Sequence, residues 1–292
     1  MTKPREHGHR SHRGFTLVEV LTAIAVLSLI LVILAQMLGF TARTTGLSSH
    51  QMSATQNARL VLDAMDRDFA SLLSQNGETV CVLPLTTSNP KVSSFQIAFL
   101  SNARGPVSAG SQFRYLAVTY TYQFTNSQVI RETEPITWSL SNPMQELLAP
   151  TGTVQSSPLA SYVLAFEAVL SLDDGSTVPL PSSTSTPDTW WTTTINGQAL
   201  PNNYIALVLS KPPINPSNRR VRAITVAIAA LDKQTFQFPN IANINPDLAS
   251  PTINNQTPVE SWNSALSQGN PSGVPSVAIA TLHFDQRSFP LR

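Results

Sequence analysis

The chain has 292 residues, of which 42% are hydrophobic but only 12% are charged, about half the charged share of an average soluble globular protein. This length allows one or two domains with a proper core, and recurring apolar runs exclude a largely disordered protein. A formal net charge of +1 provides no strong basic field, so we predict no nucleic-acid partner. The low charge and 22 prolines are typical of an extracytoplasmic, loop-rich β domain.

The first part of the chain combines a basic stretch with a long apolar run. Residues 1–14 hold four Lys and Arg side chains against one Glu, and residues 20–42 contain no charged side chain. The apolar run has the length of roughly 20 residues that a helix needs to cross a bilayer. The positive-inside rule places the N-terminus in the cytoplasm and the chain after Arg43 outside, so we predict one transmembrane helix.

Three kinds of N-terminal signal can be compared with this segment. A secretory signal peptide would be cut after its apolar stretch, behind an A-x-A pattern. The sequence LAQMLGFTARTTG offers no clean site of that kind, and the apolar run is too long. An uncleaved signal anchor explains the span but not the preceding GFTLVE. A prepilin leader explains both features.

The stretch Arg13-Gly14-Phe15-Thr16-Leu17-Val18-Glu19 resembles the class III signal of type IV pilins and pseudopilins. The resemblance implies that residues 1–14 are a cleaved basic leader, cut on the cytoplasmic side after Gly14. It also implies that Phe15 becomes the N-methylated first residue of the mature protein. Glu19 matches the acidic position of the family, which serves assembly and subunit register.

Glu19 would place a carboxylate at the front of the apolar run. An ionised side chain inside a bilayer costs roughly 2.5–3.5 kcal/mol unless it is paired. Cleavage creates a positive amine on Phe15, and in a stack of subunits Glu19 can pair with the amine of a neighbouring Phe15. The carboxylate would then fix the register between subunits. The alternative is that Glu19 lies close enough to the headgroups to reach water.

The N-terminal helix is predicted to continue beyond the membrane, because no proline occurs between Pro4 and Pro84. We expect a transmembrane and assembly half over residues 15–45 and an amphipathic half over residues 46–76, with Gly77 as the cap. The membrane-spanning positions include Val20, Leu21, Ile24, Leu27, Leu31 and Leu34.

The amphipathic half carries one apolar stripe at helical spacing, which predicts a face buried against a globular domain. Gly39 and Gly46 are the expected weak points of the helix. The stripe consists of Ala58, Val61, Leu62, Met65, Phe69, Leu72 and Leu73. The charged residues expected mostly away from it are Arg59, Asp63, Asp66, Arg67 and Asp68.

Beyond Gly77 the apolar period changes from helical to alternating, so residues 77–292 are predicted to form a β-rich periplasmic domain. The fold class is therefore α+β, with a long N-terminal helix packed on an antiparallel β-meander. A long loop with one helical turn around VESWNSAL is expected near residues 239–276. The predicted strands are SFQIAFLS, FRYLAVTYTYQF, VIRETEPITWSL, SYVLAFEAVLSL (for which a short helix is the alternative), NNYIALVLSK, RAITVAIAALD and SVAIATLHFD.

The order of elements in the second half is similar to J-type minor pseudopilins of type II secretion. A strand, an acidic turn, tryptophans and a Leu-Pro leading into an apolar strand follow one another in LASYVLAFEAVLSLDDGST, WW and LPNNYIALVLSKPP. The same order also resembles the Verru_Chthon cassette protein C family. The chain departs from major pilins because a single cysteine cannot form their disulfide loop.

These resemblances imply a non-enzymatic minor pilin or pseudopilin-like subunit of a type II secretion or type IV pilus-like filament. They imply three partners: a prepilin peptidase, an inner-membrane assembly platform with its ATPase, and other pilin or pseudopilin subunits. The C-terminal domain would lie in the periplasm or, after assembly, at the cell surface. The alternative is a membrane-anchored binding module that does not polymerise.

The sequence offers few residues for catalysis or metal binding. Only His50 and His283 remain once the leader is removed, and no nucleophile elbow, P-loop or C-x-x-C is present. We therefore expect no enzymatic activity, no cofactor and no metal, and the leader histidines do not change this because they are cleaved away. The stretch Asp173-Asp174-Gly175 fits a β-turn, with calcium binding as the alternative.

Two further features leave alternatives open. Trp190 and Trp191 are adjacent, and they either anchor a loop or the core, or they contact a partner or a sugar. Cys81 is expected to be a small buried residue, with an intermolecular disulfide as the alternative.

Overall fold

The computed structural model describes part of the chain, in two units that are taken separately: residues 1–49 and residues 50–292. The described residues are 16–72, 74–75, 78–79, 81–84, 95–102, 114–137, 154–179, 191–192, 194–195, 198–199, 204–207, 221–238, 241, 256–268 and 274–291.

The long N-terminal helix dominates the helical structure. It is 54 residues long and stays helical through Gly39 and Gly46, the two positions expected to be weak. The described helices are α1 (Leu17–Ala70), α2 (Lys233–Phe236), α3 (Pro258–Ser267) and α4 (Ser276–Thr281), with a 3₁₀ turn at Phe124–Asn126.

The described strands pair antiparallel throughout, as the alternating pattern predicts. They are β1 (Ser74–Gln75), β2 (Glu78–Thr79), β3 (Cys81–Pro84), β4 (Phe95–Ser101), β5 (Arg114–Gln123), β6 (Gln128–Thr137), β7 (Gln155–Ser161), β8 (Val163–Leu172), β9 (Thr177–Pro179), β10 (Trp191–Thr192), β11 (Thr194–Ile195), β12 (Gln198–Ala199), β13 (Tyr204–Leu207), β14 (Val221–Ala230) and β15 (His283–Pro290).

Two sheets form the body of the C-terminal unit. A seven-stranded sheet has the order β10-β13-β3-β4-β5-β6-β7, and its β4 to β7 part is the predicted meander. A four-stranded sheet has the order β15-β14-β8-β9, with β1-β2 and β11-β12 as separate small pairs. The α+β fold class is confirmed, although the strands divide between two main sheets.

Tyr162 marks the corner where the chain leaves the seven-stranded sheet and enters the four-stranded one. Its φ of 64° lies in the left-handed region, which is uncommon for a bulky side chain. Its carbonyl accepts a hydrogen bond from Leu231 N–H at 3.0 Å, and its ring centroid lies 5.4 Å from that of Phe236. These contacts hold a turn that lets β7 and β8 belong to different sheets.

The main core lies between α1 and both sheets. The first five members of the predicted stripe, Ala58 to Phe69, are buried there, and Leu72 packs against the cluster. A second, smaller core lies on the other face of the four-stranded sheet, where Trp262 of α3 and Ala278 of α4 are buried with Leu164 and Ala229. The four-stranded sheet is therefore covered on both faces.

Four sequence-based expectations for the fold were wrong in part. Helix α1 ends at Ala70, earlier than the predicted stop near Gly77, which lies outside the described residues; Ser71 N–H bonds back to Asp68 O, and Leu72 forms an isolated bridge with Ser101. Asp68 does not point outward with the other charges, because it is only 6% exposed.

The two remaining differences concern the C-terminal region. The predicted strand SVAIATLHFD is helix α4 up to Thr281 and becomes strand only at His283. Pro275 is the N-cap residue of this helix and has an extended backbone, with φ of −63° and ψ of 137°; the two alanines inside the helix favour helical structure. The single turn expected around VESWNSAL is the ten-residue helix α3.

Candidate assembly site on the N-terminal helix

The start of α1 is closed by a reciprocal set of hydrogen bonds between Thr16 and Glu19. Glu19 N–H donates to Thr16 Oγ1 at 3.3 Å, and Thr16 N–H donates to Glu19 Oε2 at 3.2 Å. The Thr16 hydroxyl also lies 3.4 Å from the same carboxylate oxygen. This is a capping box, in which a Thr and a Glu three residues later satisfy each other's backbone donors. The carboxylate therefore has partners within its own chain.

The capping box adds a local role for Glu19 that the sequence interpretation did not include. A carboxylate in the first turn also interacts favourably with the positive end of the helix dipole. The pattern Thr-x-x-Glu before an apolar run would have been sufficient to find it. Pairing with a neighbouring Phe15 amine stays a prediction, since Gly14 and Phe15 lie outside the described residues.

The apolar part of α1 is exposed along its length. The described part of the chain contains one helix that is long and apolar enough to cross a membrane, and its most apolar window is 0% buried. The predicted membrane-spanning residues all lie on this helix with exposed side chains: Val20, Leu21, Ile24, Leu27, Leu31 and Leu34. A surface this apolar needs lipid or other protein to cover it.

Hydroxyl side chains along this segment bond to their own helix. The Thr22 hydroxyl donates to Glu19 O at 3.0 Å, and the Ser28 hydroxyl donates to Ala25 O at 2.8 Å. Thr41 does the same with Met37 O at 2.8 Å. Such bonds satisfy a hydroxyl without any partner helix, so these residues are compatible with a lipid environment.

The other predicted contact residues are placed only in part. Trp190 lies outside the described residues. Trp191 is in β10, opposite Leu207 of β13, and Cys81 begins β3, opposite Phe99; the surroundings of these two side chains are not described. Partner contact through the tryptophan pair and an intermolecular disulfide at Cys81 stay predictions.

The Asp173-Asp174-Gly175 turn joins β8 to β9. Gly175 has a φ of 82°, which explains the glycine, and Asp174 Oδ1 accepts from the N–H and the hydroxyl of Ser176 at 2.9 and 2.5 Å. These contacts explain the turn without an ion. Among the described residues no group of three His, Cys, Asp or Glu side chains is placed to hold a metal.

A buried charged cluster ties α1 to the seven-stranded sheet. Asp68 accepts two bonds from Arg131, at 2.6 and 2.9 Å, and one from the Tyr120 hydroxyl at 2.5 Å. Burial, together with the Asp68 carboxylate, raises the pKa of Tyr120 well above its usual value. The hydrogen bond to Asp68 raises the pKa of Arg131 as well. The tyrosine therefore stays neutral and acts as a donor.

His50 and Asp232 form a second contact that the sequence did not indicate. His50 Nδ1 lies 2.9 Å from Asp232 Oδ1, which also caps α2 by accepting from the N–H groups of Gln234 and Thr235. Burial acts to raise the pKa of Asp232, but hydrogen bonds from Thr235 and Gln234 and the charge of His50 outweigh it, so the pKa is lowered. The Asp232 carboxylate is ionised and caps the start of α2.

His283, the other histidine outside the leader, lies apart from this pair on β15. Burial lowers its pKa, the positive charge of Arg59 acts in the same direction, and Asp285 opposes both. His50 and His283 therefore lie in different settings, and both residues are partly exposed.

Glu167 is a largely enclosed acid on the face of β8 that packs against α3. Among the described residues its enclosed Oε2 has no hydrogen-bond partner, while Trp262 of α3 donates to the carboxyl group. Burial raises the pKa of Glu167 to about 8, with the bond from Trp262 opposing the shift. The acid is therefore largely protonated at neutral pH, beneath α3, where the sequence predicted only one helical turn within a loop.

Comparison with known proteins adds one finding. The model of the prokaryotic N-terminal methylation motif matches residues 9–35, which include the capping box and the front of the apolar segment. The chain carries a prepilin-type motif. No curated protein matches the chain. The motif supports a type IV pilin-like protein that a prepilin peptidase processes, and it says nothing about the sequence after residue 35.

Proposed function

We propose that this protein is a minor pilin or pseudopilin-like structural subunit that assembles into a type II secretion or type IV pilus-like filament. The observation that carries the proposal is the methylation motif placed on a helix whose apolar half is wholly exposed. In the membrane, lipid covers this surface. In a filament, the same surface packs between the helices of neighbouring subunits.

The arrangement supports a division of work between the two halves of α1. The apolar half, residues 15–45, provides cohesion between subunits. The other half is fixed to the β domain through the buried stripe and the Asp68 cluster. The β-rich part, residues 77–292, then provides specificity toward sibling subunits. The mature protein is anchored in the inner membrane, with this part in the periplasm or at the cell surface.

Glu19 has two sets of partners in this scheme. In the single subunit the carboxylate is held by Thr16. After cleavage behind Gly14, assembly brings it the amine of a neighbouring Phe15, a charged donor that forms a stronger bond. The assembly platform, its ATPase and sibling subunits are the partners that this exchange requires.

Replacing Glu19 tests the proposal. Glu19→Ala should leave the leader cleaved but reduce incorporation into filaments by at least tenfold, because the carboxylate has no replacement. Glu19→Asp is the matched control and should retain part of the incorporation. The measurements are immunoblotting of the processed form and of sheared filaments. Full incorporation of Glu19→Ala would favour the non-polymerising binding module instead.

A further inference from the structure

One end of the C-terminal unit is built around its first residues. His50, with which the unit begins, bonds to Asp232, and the side-chain amide of Gln51 donates to a carbonyl of α4 at 3.1 Å. Asp232 is the N-cap of α2, and the Thr281 hydroxyl of α4 donates to the Thr235 hydroxyl of α2 at 3.3 Å. Helices α2 and α4 therefore lie side by side next to His50.

The α2 rim, which we define as residues 233–238, carries an exposed phenylalanine. Outside α1, Phe238 and Val154 are the two large hydrophobic side chains that are exposed among the described residues, at 40% and 41%. The Phe238 N–H donates back to α2 at 3.1 Å, which fixes this residue beside the helix. Phe236 and Tyr162 are partly exposed, and their ring centroids lie 5.4 Å apart. The rim is therefore an aromatic surface.

The α2 rim also carries positive charge. Lys233, the first residue of α2, is exposed. Asp232, the acid next to it, is only 3% exposed and is bonded to His50, so it adds little negative charge to the surface. Aromatic rings with a basic neighbour are typical of the membrane–water boundary, where the ring lies at headgroup level and the cation attracts anionic lipid.

The chain connection keeps this rim close to the membrane. Arg43, which follows the uncharged run, lies seven positions before His50. These positions are helical, and at 1.5 Å per residue they correspond to about 10 Å. The headgroup layer on each side of the hydrocarbon core is about 5–7 Å deep. Once residues 20–42 span the bilayer, His50 and the adjoining rim are thus held within a few ångströms of the headgroups.

We propose that the α2 rim binds the surface of the bilayer in which α1 is inserted, with Phe238 among the headgroups and Lys233 on the phosphates of anionic lipids. The inference rests on the membrane insertion contained in the proposed function, and it requires no polymerisation. The contact holds the C-terminal unit against the membrane until α1 leaves the bilayer.

Fluorescence quenching in vesicles tests the contact. Cys81→Ser removes the one cysteine of the chain, and Gln237→Cys then carries a bimane label next to the native Phe238. The full chain is reconstituted in phosphatidylcholine vesicles, with and without phosphatidylglycerol. Quenching by a lipid with a nitroxide on its headgroup is compared with quenching by aqueous iodide. A label at Leu31→Cys verifies insertion, because a nitroxide on the acyl chain should reach it and iodide should not.

Gln155→Cys is the matched control label. Gln155 is another exposed glutamine and follows the exposed Val154. It lies at the start of β7, about 20 Å along the strand from Ser161, the neighbour of Tyr162. We expect the headgroup nitroxide to quench the Gln237→Cys label about threefold more than the control label, and iodide to quench it less.

Two substitutions separate the effect of the ring from that of the charge. Phe238→Ser should lower the lipid quenching of the Gln237→Cys label about twofold in both lipid mixtures. Lys233→Gln should leave the value in pure phosphatidylcholine unchanged and remove the increase that phosphatidylglycerol produces. Both side chains are exposed, so the fold should be retained, which circular dichroism verifies. Equal lipid quenching of the rim label and the control label, or no effect of either substitution, would overturn the membrane contact.

The outcomes separate this contact from the proposed function. Insertion at Leu31→Cys without lipid quenching at Gln237→Cys would refute the rim contact alone. Lipid quenching at Gln237→Cys in a protein that never enters filaments would refute the proposed function and leave the contact intact. A chain that does not insert would refute both.

Discussion

Asp68 shows how one side chain joins the helix to the sheet. It is buried, and it binds Arg131 through both carboxylate oxygens while accepting from Tyr120. A buried charge pair is costly to form, but removing one partner leaves the other charge without compensation. The cluster therefore fixes the position of α1 on the β domain more than it adds to the total stability.

Removing this carboxylate should destabilise the C-terminal unit. We expect Asp68→Asn to lower the free energy of unfolding by about 2–4 kcal/mol, since Arg131 remains partly exposed and keeps some hydration. Asp63→Asn is the matched control, because the Asp63 side chain is 60% exposed in its pair with Arg287 and should change the value by less than about 0.5 kcal/mol. Urea unfolding of the full chain in detergent, followed by tryptophan fluorescence, measures both; equal effects would contradict the assignment.

Glu167 gives the unit a pH dependence whose sign follows from its raised pKa. The folded state retains the proton up to about pH 8, whereas the unfolded state loses it near pH 4.5. The contribution of Glu167 to the free energy of unfolding is thus fully present below pH 4.5, decreases between pH 4.5 and 8, and stays low above pH 8.

Glu167→Gln should remove most of this decrease. The glutamine stays neutral and can still accept from Trp262, so we expect a Tm about 3–6 °C higher than that of the parent at pH 8. At pH 4.5 the two proteins should differ little. Differential scanning calorimetry over this range is the test. A variant with the same slope between pH 4.5 and 8 as the parent would show that Glu167 is not the group responsible.

At the scale of elements, the helical stripe was the most reliable feature of the sequence. The three- and four-residue spacing located the residues of α1 that pack on the sheets, because burial of one helix face needs that period. The end of α1 and the inward position of Asp68 were not predicted, because both depend on partners in distant strands. The end of α1 depends on the bridge between Leu72 and Ser101, and Asp68 is held by Arg131 and Tyr120.

Neighbouring residues of α1 provide a direct test of this packing. Leu62 is 0% exposed and Leu60 is 56% exposed, two positions apart on the same helix. Leu62→Ala should lower the free energy of unfolding by about 2–5 kcal/mol through lost burial and a new cavity. Leu60→Ala should change it by less than about 1 kcal/mol. Thermal unfolding of the two variants measures both changes. A larger loss of unfolding free energy for Leu60→Ala than for Leu62→Ala would contradict the observed buried face of α1.

The C-terminal helices show why apolar runs mislead. In SVAIATLHFD the apolar residues are adjacent rather than alternating, so period alone cannot separate a buried strand from a short helix. Helix α3 carried a clearer signal, since Thr257, Pro258 and Glu260 form a capping box with proline at the first turn. Its Trp262 then covers Glu167, a pairing that no local pattern reveals.

At the scale of the molecule, the sequence predicted the α+β class, with the long helix first and the strands after it. The basic N-terminal stretch, the apolar run and the motif lie within the first 42 residues, and each is local, so each could be recognised without an alignment. The division of the strands between two sheets could not be predicted from the sequence, because it depends on Tyr162 adopting a left-handed conformation at the corner between β7 and β8.

The proposed function depends on processing at the front of α1. Mass spectrometry of the mature protein's N-terminus, purified from a strain with a prepilin peptidase, tests it directly. We predict a chain that begins at Phe15 with one added methyl group on its amine, and a full-length chain when the peptidase is deleted. A terminus at Met1 in the presence of the peptidase, or one beyond Ala42, would contradict the prepilin interpretation.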